Sequence, residues 1–216
     1  MDATIAVLHT TAVTLPLMKK LLRKELPQYK VVNFLDDSIL PMLATGEKNL
    51  PYVMKKLNAY CGFAQEQKAR GILCACSSIG EITEYADVSI PVIRVDEAMM
   101  EQAAALQCPI LLCATVPTTL APSARLLEGK GRGGFEKCLL QEASAILNAE
   151  GKEAHDRYIA ESILPYLNKG YAVILCQASM ADAKAYLPEL LHEKILTSPA
   201  SGTRYFAERM RALYDT

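Results

Sequence analysis

The chain has 216 residues, 51% of them hydrophobic and 22% charged, with a formal net charge of -1. That composition specifies a packed globular core and excludes a disordered chain. Lys and Arg are scattered rather than clustered, which removes any electrostatic case for nucleic acid or an acidic membrane surface as partner, and no apolar run approaches a membrane span.

Ala3 to Leu8 reads as a buried strand followed by a polar loop from His9 to Thr14. Pro16 suits the first turn of a helix carrying Leu17, Leu21, Leu22 and Leu26. Lys30 to Leu35 is a second strand, Met42 to Asn49 a loop, and Pro51 to Lys68 a helix with Val53, Leu57, Tyr60, Cys61 and Ala64 at helical spacing. The third strand, Gly71 to Ala75, ends in Cys76, Ser77 and Ser78, and a helix is expected after Gly80. Pro91 to Val95 is a fourth strand, and Asp96 is placed to cap a helix running to about Leu106. The fifth strand, Pro109 to Ala114, is closed by Thr115 to Thr119, with Pro117 opening the next helix.

The stretch from Glu128 to Gly134 is glycine-rich and reads as a flexible loop, a candidate lid. Lys137 to Ala143 reads as a strand. Helices follow from about Ser144 and from Glu153 to Leu167, and Ala172 to Cys176 is the next strand. A short strand from Ile195 to Thr197 and a helix from about Gly202 to Tyr214 end the pattern. Strands alternate with helices throughout, which specifies an α/β protein with parallel sheets. Polar residues gather after two strand ends in each half. Two similar lobes are therefore expected, 1–97 and 98–201, with a cleft between them and the helix of 202–216 packing back on the first.

The seven cysteines are an odd number, and Cys74, Cys76, Cys113 and Cys176 lie in or beside apolar strand-like runs. Reduced, buried thiols in a cytoplasmic protein account for most of them. The opening residues lack a basic region and a cleavage pattern, so no secretory signal is expected. Cys74 and Cys76 have no second Cys or His pair nearby, and His9, His155 and His192 are far apart, so no metal site is expected. The glycines at 129–134 follow a helix rather than a strand, the wrong context for a phosphate-binding turn.

Cys76 has two readings: a packed strand-end thiol, or an acid-base group whose thiolate is favoured by neighbouring dipoles. Ser77, Ser78 and nearby amides then offer donors to a carboxylate or an enolate. Thr115, Pro117, Thr118 and Thr119 likewise read either as a helix cap or as carboxylate binders. His9 is either a satisfied structural histidine or, the reading preferred here, a pocket residue beside Thr10.

These motifs resemble the aspartate/glutamate/hydantoin racemase superfamily. The resemblance rests on Ile72-Leu73-Cys74-Ala75-Cys76-Ser77-Ser78, on Pro91 to Met99, on Leu112 to Leu120 and on Val173 to Met180. It implies two flavodoxin-like lobes, an active site between them, no cofactor and no metal. Racemases of the family use one thiol from each lobe on opposite faces of the substrate's α-carbon. Cys76 matches the first thiol, and Ser77, Ser78, Thr118 and Thr119 fall where the family holds the substrate carboxylate. One alignment puts Gln177 at the second thiol's position; aligning the internal repeat puts Ala178 there instead. Cys176, just upstream, is expected inside the strand.

A small carboxylate substrate is expected, bound by His9, Thr10, Ser77, Ser78, Thr115, Pro117, Thr118, Thr119 and Ser179, with Cys76 and Gln177 at the catalytic positions. The resemblance also implies self-association as a homodimer. Three activities stay open: a racemase or epimerase, a single-thiol decarboxylase or isomerase of a small dicarboxylate, and a carboxylate-binding relative without catalysis.

Overall fold

The structure, a computed structural model, describes residues 3–214, and within them the apolar runs become two four-stranded parallel sheets. The chain first forms β1 (Ala3–His9), α1 (Leu15–Glu25), β2 (Tyr29–Leu35), α2 (Ile39–Ala44), α3 (Leu50–Glu66), β3 (Ala69–Cys74), α4 (Ser77–Thr83) and β4 (Val92–Arg94). It continues through α5 (Glu97–Ala104), β5 (Ile110–Ala114), α6 (Pro117–Gly129), β6 (Glu136–Leu139), α7 (Glu142–Glu150) and α8 (Lys152–Asn168). After β7 (Ala172–Leu175) come two 3-10 runs, Ala178–Tyr186 and Glu189–Lys194, then β8 (Ile195–Thr197) and α9 (Ser198–Tyr214). One unit holds the residues up to Glu97 together with those from Pro199 onward, and the other holds Ala98–Ser198. Their strand orders are β2-β1-β3-β4 and β6-β5-β7-β8.

Both sheets are covered on two faces, which is why their central strands are uninterrupted apolar runs rather than alternating ones. The period of two sorts the side chains. In the first unit Ile5, Val7, Leu73 and Ala75 pack with Met18, Leu22, Phe206 and Met210 of α1 and α9. Ala6, Leu8, Ile72 and Cys74 pack on the other face with Val53, Leu57 and Cys61 of α3. The second unit repeats the arrangement. Leu111, Cys113, Val173 and Leu175 meet Ile159 and Ile163 of α8, while Leu112, Ala114, Ile174 and Cys176 meet Met99, Ala124 and Leu127 of α5 and α6.

Several local expectations need correction. The stretch expected as a loop from Met42 to Asn49 begins inside a six-residue helix, α2, and ends in a 3-10 turn, Glu47–Asn49. Ile39, Met42 and Leu43 turn its apolar side to the core, and Pro41 is tolerated because it lies in the first turn. Helix α4 begins at Ser77 rather than after Gly80. Strand β6 stops at Leu139, because the buried Leu140 and Ala143 that extend its apolar pattern belong to the entry and inner face of α7. Asp96, expected as a helix cap, immediately precedes α5 and accepts hydrogen bonds from Arg94 through both carboxylate oxygens, at 3.0 and 3.1 Å. Helix α6 runs through Gly129, and the glycine-rich connection after it includes Gly131 and Gly134 at φ 81° and 71°, a region other residues rarely adopt. Helix α9 starts at Ser198, a turn earlier than Gly202.

Among the described residues, no helix is long and apolar enough to cross a membrane, and no three His, Cys, Asp or Glu side chains gather to hold a metal ion.

Burial raises the Cys61 thiol to about 11 and pushes Cys74 up as well. Above about 8.5 the unfolded chain sheds these protons while the fold keeps them, so their contribution to stability is complete below that pH and is lost as pH rises. The stability difference between the wild-type chain and Cys61→Ala, measured by urea unfolding, is therefore expected to shrink from pH 8 to pH 10. A constant difference would contradict it.

Candidate active site

The parallel register brings β1 and β3 to one carboxyl edge. Leu8 pairs with Cys74 and the Ala75 amide bonds the Leu8 carbonyl at 2.9 Å, so Thr10 and Cys76 leave the sheet at the same level. Cys76 is extended, at φ -143° and ψ 115°, and immediately precedes α4, whose first residues are Ser77 and Ser78. This small, buried start of a helix follows from the residues themselves: Ser77 to Gly80 carry little bulk and are all buried.

Burial pushes the Cys76 thiol above its ordinary value. The Thr10 hydroxyl, the Ser78 and Ile79 amides and the Ser78 hydroxyl all favour the thiolate, and burial prevails over them. The resting group is thus a neutral thiol surrounded by donors that stabilise its anion. Two hydroxyls are conspicuous here. The oxygens of Thr10 and Ser77 are buried with no formed hydrogen bond, although Thr10 lies near enough to Cys76 to act on it as a dipole. Buried hydroxyls are nearly always satisfied in folded proteins, and unpaired donors beside this thiol are groups that a ligand anion could complete.

His9, expected as a pocket residue, is buried at the end of β1 and has partners of its own. Its Nδ1 is 3.3 Å from the Thr14 hydroxyl, and its Nε2 is 3.1 Å from Asn33 Oδ1. Both ring nitrogens are engaged. Burial lowers its pKa, opposed by the Asn33 hydrogen bond, so the ring is neutral at pH 7. The sequence offered no signal for Asn33, which reaches it from the neighbouring strand.

Arg94 and its partners were also missed as a supporting set. Its guanidinium is 5% exposed, donates two hydrogen bonds to the fully buried Asp96, and donates a third to Glu84 at 3.3 Å. Gly80 lies directly against it: a Cβ there would sit 2.5 Å from Arg94 Nε. Gly80 therefore lets α4 rest on a bidentate ion pair, which fixes the helix that carries Ser77 and Ser78. The alternation Arg94-Val95-Asp96 was the available clue, since it places both side chains on one side of the strand.

The second unit has the same topology with different chemistry. Cys113 pairs with Leu175 and the Cys176 amide bonds the Cys113 carbonyl at 2.9 Å, so Thr115 and Gln177 are the counterparts of Thr10 and Cys76. Gln177 is extended, at φ -111° and ψ 136°, and precedes a helical run just as Cys76 does. The register therefore selects Gln177, not Ala178, as the equivalent position. Here the threonine is satisfied: Gln177 Oε1 accepts hydrogen bonds from the Thr115 amide at 2.5 Å and from its hydroxyl at 2.9 Å. Cys176 lies on the opposite sheet face among Ile174, Met99 and Ala124, and its thiol is 3.6 Å from the Ile174 carbonyl. A one-residue slip would reverse the strand's whole packing, so Cys176 does not stand in for the absent thiol.

Pro117, Thr118 and Thr119 form the first turn of α6, with Pro117 exposed, Thr118 half-buried and Thr119 buried. The residue before them, Val116, makes no side-chain cap, so a plain capping role does not account for Thr115. Ser179 is half-buried in the 3-10 run after β7.

Gln177 has a measurable structural role. Gln177→Leu leaves the Thr115 amide and hydroxyl without their acceptor, and each unpaired buried donor costs about 1–3 kcal/mol. Urea unfolding is expected to show a lower midpoint for Gln177→Leu and a much smaller loss for Gln177→Glu, which keeps an acceptor oxygen. Equal midpoints for the two variants would refute the role.

No family model matches the chain, and no curated protein is similar to it in sequence. Solved structures do match. Glutamate racemase from Francisella tularensis, in complex with D-glutamate, has 17% sequence identity and a TM-score of 0.76, covering 98% of this chain and 82% of that one. The aspartate racemase of Picrophilus torridus has 13% identity and a TM-score of 0.71, covering 99% and 100%. Allantoin racemase from Klebsiella pneumoniae has 18% identity and a TM-score of 0.69, covering 98% and 88%. The chain has the two-lobed α/β fold of these racemases.

Proposed function

We propose that the chain is a cofactor-independent enzyme of the aspartate/glutamate/hydantoin racemase superfamily. It performs acid-base chemistry at the carbon beside the carboxylate of a small amino acid or related acid. The observation that carries this reading is Cys76 beside the unsatisfied, buried hydroxyls of Thr10 and Ser77. The fold shared with glutamate, aspartate and allantoin racemases supports the class of chemistry.

In this reading the Cys76 thiolate removes the proton on the α-carbon. The neutral thiol so formed is the state that burial favours, which assists the transfer. Ser77, Ser78 and the amides at the start of α4 hold the carboxylate as it gains enolate character. Thr118 and Thr119 keep the carboxylate-binding role that the resemblance gives them. Returning the proton from Cys76 restores the starting enantiomer; racemisation needs an acid for the other face. Gln177 has no titratable proton, and its carbonyl oxygen is occupied by Thr115. That observation favours a second reading, a single-thiol enzyme that exchanges or delivers a proton on one face, as in decarboxylation of a small dicarboxylate.

The test is incubation in deuterium oxide with the separate enantiomers of glutamate, aspartate and allantoin, and with a malonate. Proton resonance, optical rotation and carbon dioxide release are followed together. Deuterium entry with loss of rotation supports the racemase. Exchange with rotation retained, or carbon dioxide release, supports the single-thiol enzyme. Calorimetric binding of these acids with neither exchange nor release overturns catalysis in favour of a binding protein. Because the Cys76 thiol is held above its usual pKa, exchange is expected to accelerate as pH rises above neutrality, and a rate that falls over that range would oppose Cys76 as the base.

A further inference from the structure

We infer that Cys113 and Cys138 form a redox pair that a peroxide closes into a reversible disulfide. The two residues are register partners on adjacent parallel strands, β5 and β6. Neighbouring strands run about 4.8 Å apart, inside the range of about 4.4–6.8 Å between the Cα atoms of bridged cysteines. Both side chains lie on the α8 side of the sheet, packed in one cluster with Ile159 and Tyr158. Both are free thiols in this structure, close enough to act on each other's titration.

Their environments differ in the way a sensor and its resolving partner require. Cys113 is fully buried on a central strand, whereas Cys138 is half-buried on β6, the edge strand of its sheet. A small oxidant arriving from the edge meets Cys138 first. The Cys113 thiol lowers Cys138 to about 7, and Cys138 in turn, together with burial, pushes Cys113 up. Cys138 is thus the nucleophile and Cys113 the neutral thiol that follows.

The chemistry balances with hydrogen peroxide as oxidant. The Cys138 thiolate attacks one peroxide oxygen, the O–O bond breaks, hydroxide leaves, and a sulfenic acid forms. The Cys113 sulfur then attacks the Cys138 sulfur, the S–O bond breaks, and the Cys113 proton and the sulfenic hydroxyl leave as water. Two thiols have become one disulfide, and two electrons have reduced one peroxide. Parallel neighbours hold their Cβ atoms farther apart than the roughly 3.8 Å of a relaxed bridge, so closure draws β5 and β6 together and the bond reopens readily to a dithiol. Thr115, which holds Gln177, lies two residues beyond Cys113 on the strand so displaced. The inference does not depend on what Cys76 does.

The experiment uses the full chain carrying Cys76→Ser, which removes the other reactive thiol and leaves six. Reduced protein is treated with a modest excess of hydrogen peroxide, alkylated and digested with trypsin. The expected product joins Cys138 to Cys113, sequenced within its peptide to separate it from Cys108, with free thiols falling from six to four and returning to six with dithiothreitol. In Cys113→Ser the sulfenic acid persists, and dimedone labels Cys138. Cys138→Ser, a change on an edge strand, forms no bridge at Cys113. Recovery of Cys138 as a free thiol, or bridged to any other cysteine or to a second chain, overturns the inference. So does dimedone labelling of Cys113 in preference to Cys138.

Discussion

Cys76→Ala is expected to lower turnover of the best substrate by about 10²–10⁴-fold, the usual contribution of a positioned acid-base group. The substitution removes a sulfur at the end of β3 without touching the bond from the Ala75 amide to the Leu8 carbonyl that holds this edge together. Circular dichroism and calorimetric binding of the carboxylate should therefore survive. That combination separates a chemical role from a packing role: a thiol that merely fills space would lower the unfolding midpoint and leave the rate of the folded fraction intact. Cys76→Ser sharpens the contrast, because it keeps shape and a donor but presents a hydroxyl far harder to ionise. Retention of near wild-type exchange in both variants would remove Cys76 from the mechanism.

Gly202→Ala is expected to cost about 3 kcal/mol or more, a large penalty for a single methyl group. A Cβ on Gly202 would lie 1.9 Å from the Val95 carbonyl oxygen and 2.7 Å from its carbon. Neither is the end of a flexible side chain. The Val95 amide is itself bonded to the Cys74 carbonyl at 2.9 Å, so the backbone cannot retreat without loosening β3. Helix propensity works in the opposite direction, since alanine is favoured over glycine by about 1 kcal/mol in a helix interior. Gly62→Ala in α3 isolates that term, because nothing lies within 4 Å of its would-be Cβ. Thermal unfolding should fall sharply for the first variant and hold or rise for the second. If Gly202→Ala unfolds no earlier than wild type, α9 is not held as closely as described.

Much of the fold was readable because each central strand is an unbroken apolar run bounded by polar turns and followed by a longer helical pattern. The errors have local causes. In α2 the helical period is present but spans barely two turns, too short to stand out against Pro41 and the turn that follows. Gly80 read as punctuation, yet its small size serves the guanidinium lying across it, and Arg94 is remote in the sequence. Leu140 and Ala143 are apolar for the sake of α7, and nothing in a linear pattern says which element owns them. Cys76, Ser77 and Thr10 were legible as polar residues placed after strands. Two things were not: that the oxygens of Thr10 and Ser77 lack partners, and that Gln177 satisfies a threonine 62 residues earlier. Those are properties of register, which pairing of strands creates. The choice between Gln177 and Ala178 shows the difference most clearly, since two sequence alignments disagreed and one pair of backbone bonds decided.

The path of the chain through its two units sets an order of maturation on the ribosome. The second unit is one continuous segment, Ala98–Ser198, and has all its parts once that segment has emerged. The first is finished only when α9 arrives, because Phe206, Ala207 and Met210 supply the buried lining of one face of its sheet. Burying a side chain of that size contributes about 1.5–3 kcal/mol, so a nascent chain stopped short of α9 exposes an apolar sheet face with nothing to cover it. The usual N-terminal-first sequence of domain folding is thereby inverted: the unit that carries Cys76 is completed after the one inserted within it.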